Sequence, residues 1–190
     1  MDQGQLLSGG FADPATDAAR AFRACLEAMA RPGRAHEISG AAPPAPMSEA
    51  AGAVLLTLVD ASTGLYLAPS HDSPELRQWI AFHCGAPIVG AAQAEFALGS
   101  WEALQPVTQF AIGTAEYPDR SATLIVEMPA SAPPNVRLTG PGIQVSHVVH
   151  LPEIEAFQRN AARFPLGFDC YFTHDRALFG LPRSTRVEAL

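Results

Sequence analysis

Arginine is the residue type in this chain with the most chemistry to offer. Arg183 and Arg186 flank Ser184-Thr185, and Arg31 and Arg137 each precede a turn. A planar guanidinium fork matches phosphate and carboxylate equally well. Internal or inter-subunit salt bridges and anion binding are therefore all open to these four, which stand as candidates for an interface or an anion site. All twelve basic residues are arginine. With no lysine in the chain, a pyridoxal Schiff base, a P-loop lysine and a lysine general base are impossible within it.

Other reactive groups are scattered. Cys25, Cys84 and Cys170 are far apart, odd in number and embedded in apolar stretches, so buried reduced thiols are expected. His83 beside Cys84 activates nothing, because sequence neighbours on a helix do not face each other. His147 and His150 form the one close histidine pair. In a strand, their spacing sends the rings to opposite faces, so no metal site is expected. No phosphate-cradling glycine loop occurs, and Gly140-Pro141-Gly142 reads as a tight turn between strands. No G-x-S-x-G nucleophile elbow occurs either. Asp60, at the end of a helix expected to be buried, and Asp169, inside an apolar strand, are the unusual carboxylates. Such groups are matched to an arginine or to helix-end amides.

These side chains must be positioned by a single domain spanning residues 1–190, in which residues 1–13 read as a flexible tail. Hydrophobic residues make up 48% and charged residues 16% of the sequence, the balance of a compact globule. The net charge of −7 disfavours nucleic acid and anionic membranes as partners. No apolar run nears the roughly 18 residues of a membrane span, and no leader is apparent, so a cytoplasmic protein is expected.

Asp13-Pro14 caps a first helix whose inward face is read as Ala18, Phe22, Cys25, Leu26 and Met29, stopped by Pro32-Gly33. Ser48 caps a second helix to about Val59, apolar almost all round. Ser73-Pro74 opens a third, with Leu76, Ile80 and His83 inward, ended by Gly85. Strands are expected at Leu65–Leu67, at Ile88-Val89, over residues 95–98 and, most clearly, at Ser121–Glu127. Further strands are expected at Val136–Thr139, Val145–Val149, Phe168–Phe172 and Thr185–Val187, with a helix from Pro152 that turns Ile154, Phe157 and Ala161 inward. Helices and strands interleave, which favours a layered α/β domain with a mixed sheet, α/β/α in three layers.

Several segments in register carry a resemblance. They are Phe22-Arg23-x-x-Leu26-x-Ala28-Met29-Ala30-Arg31-Pro32-Gly33, Leu55-Leu56-Thr57-Leu58-Val59-Asp60-x-x-Thr63, Phe82-His83-Cys84-Gly85-Ala86-Pro87 and Ala94-Glu95-Phe96-Ala97. They continue with Gly113-x-x-x-Tyr117-Pro118-x-x-Ser121-Ala122-Thr123, Leu138-Thr139-Gly140-Pro141-Gly142-Ile143, Asn160-x-x-x-Phe164-Pro165-Leu166-Gly167-x-Asp169 and Leu181-Pro182-Arg183-Ser184-Thr185. Together they resemble the H subunit of the bacterial carbon–phosphorus lyase system, over nearly the whole chain. Glu95 departs, standing where the family is expected to have aspartate.

The resemblance implies a fold similar to pyridoxal-phosphate-dependent transferases in reduced form, without the cofactor. It implies a homodimer that joins the G, I and J subunits in a core complex. That system displaces adenine from ATP with an alkylphosphonate to give a ribose 1-phosphonate 5-triphosphate, and later breaks the carbon–phosphorus bond by radical chemistry in another subunit. The family has no assigned catalytic residue, and no cofactor or metal site is expected. An accessory role in the complex is one reading. A stand-alone enzyme or phosphate-ester binder using an arginine/carboxylate site is the alternative.

Overall fold

The computed structural model describes residues 8–129 and 132–190. Six strands form a mixed sheet in the order β1-β8-β7-β4-β3-β2: β1 (His36–Glu37), β8 (Ala177–Leu181), β7 (Asp169–His174), β4 (Thr123–Glu127), β3 (Phe96–Ser100) and β2 (Leu65–Leu67). Strands β2, β3, β4 and β7 run parallel, and β8 and β1 close one side antiparallel. A second, three-stranded antiparallel sheet has the order β6 (His147–Val149), β5 (Val136–Thr139) and β9 (Arg186–Ala189). Strand β4 lies inside the main sheet between β3 and β7, as its aliphatic run requires, and Leu124, Ile125 and Val126 are fully buried.

Alternation along these strands divides the core in two. Leu65, Leu67, Leu98, Ile125, Tyr171 and Leu178 pack with helices α1 (Pro14–Ala30), α2 (Glu49–Leu58) and α3 (Pro74–His83). Leu124, Val126, Cys170 and Phe172 point the other way, against α4 (Ile154–Ala161) and the three-stranded sheet. The layer on that second face is therefore part helix and part strand. Each large side chain buried there, such as Phe157, contributes about 1.5–3 kcal/mol by leaving water.

The caps at Asp13, Ser48 and Ser73 fall where the sequence puts them. The inward face of α1 does not. Ala21, Cys25 and Ala28 are buried, whereas Phe22 is 52% and Leu26 53% exposed. The reason is close approach: a Cβ on Gly180 of β8 would lie 2.6 Å from the Ala28 carbonyl, so only small residues fit between helix and sheet. Two other inward faces are also corrected. Trp79, not His83, completes the buried face of α3, and α4 buries Ala156, Phe157 and Asn160. Ile88 makes only an isolated bridge to Leu65. Of the expected tail, residues 1–7 lie outside the described residues. From Ser8 on, the chain is held to the body: Ser8 O accepts from Trp79 Nε1 at 3.2 Å and Gly9 O from Ala42 N at 2.8 Å.

Candidate functional site

The four arginines are not brought together. Arg183, between β8 and β9, is committed inside the protein. Its Nε donates to Asp169 Oδ1 at 3.1 Å, one terminal nitrogen to Asp169 Oδ2 at 2.5 Å and the other to Pro118 O at 2.8 Å. Ser121 Oγ takes a further bond, and the Arg183 backbone N–H donates to Asp169 Oδ1 at 2.8 Å. Arg31 ends α1, exposed, with its Nε 3.2 Å from Glu27 Oε2. Arg137 stands opposite Glu188, and Arg186 opposite Thr139, on the outer face of the small sheet, both exposed.

Asp60 is a correction. It sits in an exposed turn after α2, and its Oδ1 accepts from Ser62 N at 2.8 Å, Ser62 Oγ at 2.7 Å and Thr63 Oγ1 at 3.0 Å. Those bonds, the Ser62 hydroxyl first, hold the carboxyl below its ordinary value. The thiols are quiet. Burial pushes Cys25 and Cys84 up to about 12 and Cys170 well above its ordinary value. Among the described residues, no three His, Cys, Asp or Glu side chains gather as a metal site would need.

A different cluster forms at the carboxyl edge of the parallel strands, the edge at which open α/β sheets bind ligands. Ser100, Glu127 and Thr173 are register partners across β3, β4 and β7, so they form one row. The first turn of α2 meets this row, and the N-cap Ser48 donates its backbone N–H to Glu127 Oε1 at 2.6 Å. Beyond β2, His71 is 4% exposed and sits behind the carboxylate, its Nε2 4.0 Å from Glu127 Oε1. Ser70 Oγ accepts from Ser100 N at 3.0 Å and bonds His71 Nδ1 at 2.9 Å. Ser70 Oγ keeps a second lone pair and its own O–H, so its bond to Nδ1 suits either tautomer of the ring, and Nε2 faces Glu127 in both.

Nε2 is buried with no hydrogen-bond partner. Desolvation lowers the His71 pKa and raises that of Glu127. The backbone N–H of Ser48 and its hydroxyl, Thr173 and His174 oppose the Glu127 shift, but burial outweighs them. Both groups thus move toward their neutral forms, which draws their proton affinities together. Such a pair can accept a proton or hold a ligand O–H or N–H.

Comparison with known proteins decides the family. The profile of the bacterial phosphonate metabolism protein (PhnH) matches residues 9–188. The chain belongs to this PhnH family. It is 42% identical over 196 residues to the alpha-D-ribose 1-methylphosphonate 5-triphosphate synthase subunit PhnH of Rhizobium meliloti (strain 1021), covering 98% of each chain. It is 32% identical over 175 residues to the putative C-P lyase subunit protein HtxG of Stutzerimonas stutzeri, covering 88% of this chain and 84% of that one. The resemblance read from the sequence is thereby established. The PhnH match spans both edges of the main sheet, the Arg183–Asp169 clamp and the Glu127–His71 row alike.

Ser70, His71, Ser100 and Glu127 form no motif along the sequence. The available signal was an acid closing the apolar run Thr123–Val126, which puts a carboxylate at the carboxyl end of a central strand.

Proposed function

We propose that the chain is an accessory subunit of the carbon–phosphorus lyase core complex. In this role it is needed for forming ribose 1-methylphosphonate 5-triphosphate from ATP and methylphosphonate. One observation carries the reading: the match to a subunit of that synthase runs over 98% of both chains. A homodimer joined to the G, I and J subunits is its working form. Exposed Phe22, Leu26 and Phe82, on α1 and α3, support it as apolar surface open to partners. Unpaired Cys25, Cys84 and Cys170 suit the reducing cytoplasm. A mixed sheet of parallel strands with an antiparallel edge suits a reduced pyridoxal-phosphate-transferase fold, and the absence of lysine suits its working without that cofactor.

The test is omission. The complex is reconstituted with and without this chain, and the synthase product is followed by phosphorus NMR. Product should appear only when the chain is present, and the chain alone should form none. Turnover of ATP and methylphosphonate by the chain alone would instead establish the stand-alone enzyme, and undiminished product from the complex lacking it would remove the accessory role.

A further inference from the structure

The Glu127 row opens onto a cavity of about 480 Å³ at the carboxyl edge of the sheet, within the roughly 300–1,000 Å³ range of small-molecule sites. Its charged lining among the described residues is acidic, Glu127 and Glu102, with half-buried His150 beside them. No arginine lines it among the described residues. A phosphate or phosphonate entering would meet two carboxylates and no guanidinium, so the cavity disfavours anions.

What it offers instead is hydrogen-bond acceptors set among apolar walls. Trp101 is fixed there by packing its ring, tilted 34°, against Phe157 with centroids 4.7 Å apart and by donating Nε1–H to Glu153 Oε2 at 3.1 Å, and Met128, Pro129 and Pro152 complete the apolar part. Behind Glu127, His71 aims a buried, unpartnered Nε2 at the same carboxylate. A polar atom left so is rare in a site built only for stability. A flat heterocycle between apolar walls, with hydroxyl or N–H donors toward the acid, satisfies the arrangement.

We propose that this cavity binds the nucleoside portion of a substrate, with Glu127 accepting hydrogen bonds from its hydroxyl or N–H groups and His71 positioning that carboxylate. Choosing a nucleoside among donor-rich ligands rests on the synthase reading above. Phosphate groups attached to the nucleoside point away from Glu102 and Glu127, toward solvent or a partner subunit.

Calorimetric titration of the full chain with adenosine, methylphosphonate and inorganic phosphate tests this, with Trp101 fluorescence as a second readout. Adenosine should bind, and neither anion should bind or displace it. Glu127→Gln keeps an acceptor for Ser48 N–H and should still weaken adenosine about tenfold, the loss of one charge-assisted bond. Met128→Trp, which fills the cavity and leaves Glu127 in place, should abolish binding and the Trp101 response. His71→Gln should weaken adenosine and alter the pH profile of binding, which a merely structural role would not do. No adenosine binding by the wild type, equal binding by Glu127→Gln and Met128→Trp, or displacement by phosphate would each overturn the proposal. Assembly is read separately by co-purification with the other subunits. Failure of the wild type to assemble would overturn the accessory reading and leave adenosine binding to be judged on its own titration.

Discussion

Strands β4 and β7 carry a part-buried acidic network at each end, and the two are built differently. At the amino edge, Asp169 receives three N–H bonds from Arg183, whose remaining contacts reach Pro118 O and Ser121 Oγ. At the carboxyl edge, Glu127 receives Ser48 N–H, while the facing His71 Nε2 has no partner. The first network is explained by stability alone. The second leaves a buried nitrogen short of a bond and shifts two titratable groups toward their neutral forms, which stability does not explain.

The largest expected effect breaks the amino edge. Arg183→Ala strands the part-buried Asp169, and losing its charge-assisted hydrogen bonds costs about 2 kcal/mol. In a chain of this size that lowers the melting temperature by roughly 4–8 °C. Arg183→Lys should recover little, because a point charge cannot supply the fork to Asp169 and still reach Pro118 and Ser121. A loss under about 1 kcal/mol in thermal or urea denaturation would show that this edge, too, is not built for stability.

A smaller effect separates the carboxyl edge from the helix that meets it. Ser48 Oγ accepts from Ala51 N at 3.1 Å, and Ser48→Ala removes that cap at about 1 kcal/mol. The backbone bond to Glu127 survives the substitution, while the hydroxyl's smaller hold on that carboxyl is lost. Ser48→Ala should therefore lower stability while changing adenosine affinity far less than Glu127→Gln does. If affinity falls in step, the site and the helix cap are one device.

How much of this was legible follows the same division. The amino edge could be read in part: an aspartate inside an apolar strand predicted a matching arginine or helix-end amides, and Asp169 has the arginine. The caps and the central strand were legible because local spacing sets them. The inward face of α1 was not, since Phe22 and Leu26 match the helical period as well as Ala21, Cys25 and Ala28 do. Only the tight contact with Gly180 decides between them. Strand β8 was missed. Its hairpin with β7 turns at Asp175, at φ 49°, and Arg176, without the Asn-Gly or Asp-Gly pair that marks such turns. The carboxyl edge was illegible because Ser48, His71, Ser100 and Glu127 meet only through the parallel register and the docking of α2.

Smaller again is the pH response of the carboxyl edge. The Glu127 pKa is raised on folding, so its carboxyl favours the fold while protonated, and that contribution fades as pH rises through the folded-state value. Glu127→Gln should therefore be slightly stabilising at pH 7, by about 0.5 kcal/mol, the low end of stabilising substitutions. The gain should vanish below the ordinary carboxyl value of 4.5. His71 has the opposite sign. Its pKa is lowered, so its contribution is present above 6.5 and is lost as pH falls below it. His71→Gln should flatten the stability profile on the acid side of 6.5. Denaturation across pH 4–8 checks both, and unchanged profiles would put the two edges on the same footing.

The smallest stability effects belong to the arginines outside both networks. Arg137 and Arg186 lie exposed on the outer face of the small sheet and make none of the ion pairs found among the described residues, so alanine at either should stay within about 0.5 kcal/mol of wild type. Arg31 gives up an exposed i,i+4 pair with Glu27, worth about 0.3–0.5 kcal/mol. A neutral result in denaturation makes these variants clean probes of association. An arginine at the centre of a subunit contact loses about 2 kcal/mol on truncation, roughly thirtyfold in affinity. Sedimentation and co-purification of Arg31→Ala and of Arg137→Ala with Arg186→Ala should then show weakened assembly by chains as stable as wild type. If assembly is undiminished, the interface lies elsewhere, and the exposed Phe22–Leu26 face of α1 becomes the next surface to alter.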